Sequence, residues 1–121
     1  MTRPVAVLIH VPDVAEGLIW YQRAFPNAKA VYLANFDFTV LRLGDVDLEI
    51  VPADDKVSSG PAGTVVYWSV PNLKEAMTHF NHLGATVYRG PLKIEDGLGM
   101  CQVSDPFGNL IGLRGPYSSE K

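Results

Sequence analysis

The sequence predicts an α+β fold made of two copies of a β-α-β-β-β module. Three observations carry that expectation. Val11-Pro12-Asp13-Val14 and Val70-Pro71-Asn72-Leu73 each open a helical pattern, and these openings lie 59 residues apart. Inside the two patterns Val14, Leu18 and Tyr21 correspond to Leu73, Met77 and Phe80, and Glu16 corresponds to Glu75. Each helix is followed by short β-type runs, ending Leu48-Glu49-Ile50 in the first copy and Ile111-Gly112-Leu113 in the second. A repeat of this kind decides the architecture, so it is weighed before local propensity.

The elements follow in order. Val5–Val11 is aliphatic and β-branched and reads as a strand. Asp13 is an N-cap for a helix over Val14–Phe25, with Glu16 as the capping-box partner. Val14, Leu18, Tyr21 and Phe25 form its apolar stripe, and Pro26-Asn27 ends it. Lys29–Leu33, Phe36–Leu43 and Asp47–Val51 are the next strands, with Gly44-Asp45 as a turn. The segment from Pro52 to Gly63 lacks periodicity and reads as a linker. Module one thus spans about 4–52, the linker about 53–63 and module two about 64–115, all within one domain.

In module two, Thr64–Val70 is the first strand. Asn72 caps a helix over Leu73–Leu83, whose buried face is Leu73, Ala76, Met77, Phe80 and Leu83. His79 and His82 fall on its polar side. Gly84 is the C-terminal stop. Ala85–Arg89 is a strand, and Gly90–Gly99 reads as a loop long enough to serve as a lid. Met100–Val103 and Leu110–Leu113 flank Ser104-Asp105-Pro106-Phe107-Gly108-Asn109, an Asp-Pro-x-Gly hairpin.

Composition narrows the function. The chain has 121 residues, 47% hydrophobic and 19% charged, which suits a globular domain with its own core. No apolar run reaches the roughly 18 residues of a membrane helix, and the N-terminus does not read as a signal peptide. The single cysteine, Cys101, cannot form an internal disulfide, which favours the cytoplasm. A net charge of −3 with no basic cluster argues against nucleic acid as a partner.

The paired modules, the Asp-Pro-x-Gly-Asn turn before the last strand, and Asp13 followed by Trp20-Tyr21 in the first helix resemble the vicinal oxygen chelate superfamily. That group includes glyoxalase I, bleomycin- and fosfomycin-resistance proteins and extradiol dioxygenases. The resemblance implies a curled mixed sheet around a central groove, with the helices on the convex side, and a homodimer. It also implies a divalent metal held by residues from the first and last strand of each module. The matching positions are Ala6, Glu49, Val65 and Gly112. Three of these carry no coordinating side chain, so a usual metal site and its cofactor are not expected.

The remaining candidates are ligand-binding residues. Glu49 stands in an otherwise apolar strand, and a groove carboxylate needs a partner or an altered pKa. It reads as a counter-charge for a cationic ligand, as a catalytic acid or base, or as the partner of Arg42 or Arg114. His10 lies four residues after Ala6 and so shares its face; it reads as a groove-edge histidine or as part of an atypical metal site with Glu49. Tyr67 shares the parity of Val65 and faces the groove as a ligand wall or as core, with Trp68 pointing the other way. Arg114 shares the parity of Gly112. Phe38 is a further aromatic candidate whose face the sequence leaves open. Cys101 reads as a buried, inert thiol.

Two functions are expected to compete. One is a metal-free, bleomycin-resistance-type protein that binds a small organic molecule. The other is a lyase, isomerase or dioxygenase that uses a non-standard metal site, or Glu49 as acid or base.

Overall fold

The computed structural model describes residues 3–62 and 64–118. Contacts divide the chain into two compact units, Met1–Ser59 and Gly60–Lys121.

In the first unit, β1 (Ala6–Val11) leads into α1 (Val14–Ala24), followed by β2 (Lys29–Leu33), β3 (Phe38–Leu43) and β4 (Val46–Pro52). The sheet order is β1-β4-β3-β2, with β1 parallel to β4 and the other pairs antiparallel. Asp13 caps α1, its Oδ1 accepting from the Glu16 amide at 3.1 Å. That bond satisfies one of the amides a helix start leaves unpaired. The buried face of α1 is Gly17, Trp20, Tyr21 and Ala24; Val14, Leu18 and Phe25 are only half-buried. The expected stripe is therefore rotated about the helix axis. Gly17 explains the rotation: a Cβ there would lie 2.9 Å from the side chains of Val11 and Ile50, so the helix is seated close to β1 and β4 at that point. Phe36 lies outside β3, in a turn where its amide bonds to Leu33 O and where Asp37 has φ 49°.

The second unit repeats the plan with β5 (Tyr67–Ser69), α2 (Leu73–His82), β6 (Thr86–Lys93), β7 (Leu98–Ser104) and β8 (Leu110–Pro116). Its order is β5-β8-β7-β6, with β5 parallel to β8. Asn72 Oδ1 accepts from the Glu75 amide at 2.9 Å, the counterpart of the α1 cap. Leu73 and Phe80 bury the inner face of α2, and Gly84, at φ +90°, ends it. His82 is exposed, while His79 is half-buried with its ring 5.4 Å from that of Phe80. Both units are thus α+β, each an open mixed sheet with one helix.

The segment expected to be a lid is mostly strand. β6 runs through Gly90 and Pro91 to Lys93, with Leu92 opposite Met100 and Lys93 opposite Gly99. Of two register shifts in this pairing, the one between Arg89 and Leu92 absorbs the Gly-Pro pair, and a Cβ at Gly90 would stand 2.8 Å from Met100 O. The glycine lets β6 stay against β7 where any side chain would push it off. A short 3-10 turn, Glu95–Gly97, then joins β6 to β7.

The Asp105 turn closes the β7–β8 hairpin. Asp105 is 4% exposed, and its Oδ1 accepts from the amides of Phe107 and Asn109, each at 2.8 Å. Gly108 supplies φ +94°. Asn109 Oδ1 in turn accepts from the Gly60 amide at 2.9 Å.

Candidate functional site

Strand alternation assigns each candidate to a face. In the first unit Ile9 lies opposite Ile50, which packs against Gly17 of α1. The neighbouring pair, Leu8 and Glu49, therefore occupies the face away from the helix. His10, opposite Val51, shares it. Arg42 lies opposite Asp47, so alternation along β3 puts Phe38 and Val40 on that face too.

The electrostatics of this face differ from the sequence expectation. The Arg42 guanidinium makes two bonds to Asp47, at 2.8 and 3.2 Å, so Asp47 and not Glu49 is its partner. The hydrogen bond from Arg42 holds the Asp47 carboxyl below its ordinary range, and the same bond raises Arg42. The physical reason is register: the antiparallel β3–β4 pairing sets Asp47 directly across from Arg42. Among the described residues no side-chain hydrogen bond or ion pair reaches the half-buried Glu49 carboxylate. Past the end of β4, Asp54 accepts from the amides of Val57 and Lys56, and these bonds, with a smaller contribution from the His10 charge, hold its carboxyl low.

The second unit gathers a denser set. Tyr67 lies opposite Gly112, and Gly112 lies opposite Gln102. The Tyr67 ring covers Gly112 so closely that a Cβ there would be 2.6 Å from two ring atoms. Gln102 Nε2 donates to Tyr67 Oη at 2.9 Å. Arg114, opposite both Ser69 and Met100, places its guanidinium carbon 5.5 Å from the Tyr67 ring centre. A cavity of about 370 Å³ opens beside them, lined chiefly by Tyr67, Ser69, Val70, Leu98, Arg114 and Pro116. Trp68 lies opposite the fully buried Leu113, on the other side of the sheet, as its parity requires.

Cys101, 1% exposed, also lies opposite Leu113. Burial raises its thiol pKa, which withholds the nucleophilic thiolate at neutral pH.

The four positions that would hold a family metal do not fit one. Ala6 and Val65 offer no donor, and the space beside Gly112 is taken by the Tyr67 ring. Glu49 is left as the single donor of the four. Among the described residues, no three His, Cys, Asp or Glu side chains come together as a possible ligand set.

Gln102 is the residue that sequence reasoning missed. Its signal was a polar side chain between Cys101 and Val103, on the alternate face of a strand whose other face is core. Its partner Tyr67 is 35 positions away, so no local pattern connects the two.

No protein-family model matches the chain, and no curated protein matches its sequence. Solved structures do match. An integron cassette protein of Vibrio cholerae aligns over 98% of this chain and 97% of its own, at 22% identity and a TM-score of 0.74. A glyoxalase/bleomycin resistance protein/dioxygenase family enzyme from Burkholderia phytofirmans PsJN aligns over 93% and 98%, at 16% identity and a TM-score of 0.74. A lactoylglutathione lyase from Agrobacterium tumefaciens aligns over 95% and 94%, at 15% identity and a TM-score of 0.70. At these identities the likeness is one of fold: the chain has the vicinal oxygen chelate fold, shared with the glyoxalase/bleomycin resistance/dioxygenase superfamily.

Proposed function

We propose that this protein is a glyoxalase/bleomycin-resistance-like binding protein that holds a small organic molecule without a metal. The observation that carries this reading is the Tyr67–Gln102 pair packed over Gly112, beside Arg114 and a cavity of about 370 Å³. That volume falls in the range of small-molecule pockets, which run from about 300 to about 1,000 Å³. The aromatic ring sits where a metal ligand would project, so ring and hydroxyl take over contact with the ligand. Tyr67 and Arg114 are the principal binding residues. Phe38, His10 and Glu49, on the face of the first sheet away from α1, form a second set for ligand contact. The protein acts as a homodimer, and the cytoplasm is its compartment.

A second reading has one observation in its favour. Glu49 is half-buried and has no side-chain partner among the described residues, which suits a catalytic acid or base. In that case the protein is a lyase or dioxygenase of the same fold.

Titration calorimetry with Ni²⁺, Zn²⁺ and Mn²⁺ on the wild type and on Glu49→Gln tests the metal-free reading. No stoichiometric binding is expected. Stoichiometric binding that disappears in Glu49→Gln overturns the metal-free reading. A thermal-shift screen of small organic molecules, run with and without Tyr67→Ala, completes the test. A ligand of the native state at a hundred times its Kd adds about 2.7 kcal/mol of stability. Stabilisation seen only in the wild type is expected; stabilisers indifferent to Tyr67→Ala place the ligand elsewhere and overturn the assignment.

A further inference from the structure

We infer that the cavity beside Arg114 takes a small monocarboxylate with an apolar body, an inference that rests on the ligand-binding reading above. The sign of the charge comes from Arg114. Its side chain is exposed, and among the described residues no carboxylate pairs with it. Its neighbours across the sheet, Ser69 and Met100, are uncharged, as are the other side chains that line the cavity. A cationic ligand would meet a guanidinium with nothing to offset it. The chain's net charge of −3 does not reverse this, because exposed charges beyond roughly 10 Å are screened at ordinary ionic strength.

The hydrogen-bonding character points the same way. Tyr67 Oη accepts from Gln102, so the one phenolic hydrogen remains to be donated. A guanidinium has only donors, five of them in a planar fork. The ligand must therefore supply acceptors. A carboxylate matches the fork with two oxygens in one plane and brings one negative charge to one positive charge. A phosphate monoester brings up to two charges, and the cavity holds a single cation to meet them. The Arg114–Tyr67 contact also restrains the guanidinium before any ligand arrives, which lowers the entropy cost of capture. The other walls are apolar: Leu98, Val70 and Pro116. They call for a hydrocarbon or aromatic body. The volume is near the lower end for ligand sites, which sets the scale at a benzoate or a phenylpropionate.

The test uses three probes of nearly equal shape and different charge: benzoate, benzamide and benzylamine. Each is titrated into the full chain, with backbone amide NMR shifts reporting location and affinity. Benzoate is expected to bind most tightly and to shift amides on β5, β7 and β8. Arg114→Gln is expected to weaken benzoate at least about tenfold, since a charged hydrogen bond is lost. Tyr67→Phe keeps the ring over Gly112 and is expected to weaken benzoate about threefold to tenfold with the fold intact. Benzylamine or benzamide binding at those strands as tightly as benzoate, or benzoate binding unaffected by Arg114→Gln, overturns the carboxylate inference and leaves the ligand-binding reading standing. No probe shifting β5, β7 or β8 overturns both.

Discussion

Two carboxylates in this chain show how surroundings set the worth of one chemical group. Asp105 is 4% exposed and spends Oδ1 on two backbone amides of its own turn. Removing it takes the acceptor from two half-buried amides, at about 1–3 kcal/mol. Asp105→Ala is therefore expected to lower unfolding free energy by about 2–3 kcal/mol in urea titrations. A change near zero would mean that the turn forms through Pro106 and Gly108 alone. Asp47 also has a strong partner, Arg42, but the pair is open to solvent, with side-chain exposures of 24% and 46%. Screening and side-chain entropy offset such a bond, and Asp47→Asn is expected to matter much less. Gly112 belongs to the same scale. Its lack of a side chain is what admits the Tyr67 ring, so one residue both withholds a metal donor and makes room for the ring proposed as the ligand wall.

At the scale of elements, the two modules begin alike. Asp13 and Asn72 each sit in extended backbone and accept from the amide three residues on. Asp13→Ala and Asn72→Ala are each expected to cost about 1 kcal/mol, read as a lower denaturation midpoint with an unchanged slope. A loss in one variant only would mean that tertiary packing holds the other helix end. β6 shows the opposite behaviour. It is an edge strand, exposed along its length, interrupted by two register shifts and carrying Arg89 and Lys93. Bulges and cations are devices that discourage edge-to-edge pairing. The run Gly90–Gly99 looks like a loop in sequence because Gly, Pro and Asp punctuate it. In the structure its first half remains paired with β7.

At the scale of the molecule, the proposed homodimer has a direct measurement. The first sheet ends in β1, an edge strand whose Leu8 is 53% exposed, and Val5 just before it is 59% exposed. Exposed aliphatic side chains of this kind favour burial against a partner. Light scattering after gel filtration is expected to give twice the chain mass, and Leu8→Glu is expected to shift it toward the monomer. A monomeric wild type at micromolar concentration would remove the dimer. Among the described residues no helix is long and apolar enough to cross a membrane.

The sequence by itself determined the repeat, both helices with their caps, the β7–β8 turn and the alternation of faces along each strand. These depend on interactions within a few positions and on the periods of helix and strand, which are written in the order of the residues. It also determined that Ala6, Val65 and Gly112 could not ligate a metal, because that is a matter of side-chain chemistry alone. Only the tertiary structure decided register: that Arg42 meets Asp47 instead of Glu49, that Phe38 shares a face with Glu49, and that Gln102 reaches Tyr67 from 35 positions away. Register is fixed by how whole strands pair, and a shift of one residue sends every side chain to the opposite face. Local patterns therefore revealed which residues carry chemistry, and long-range pairing decided which of them stand together.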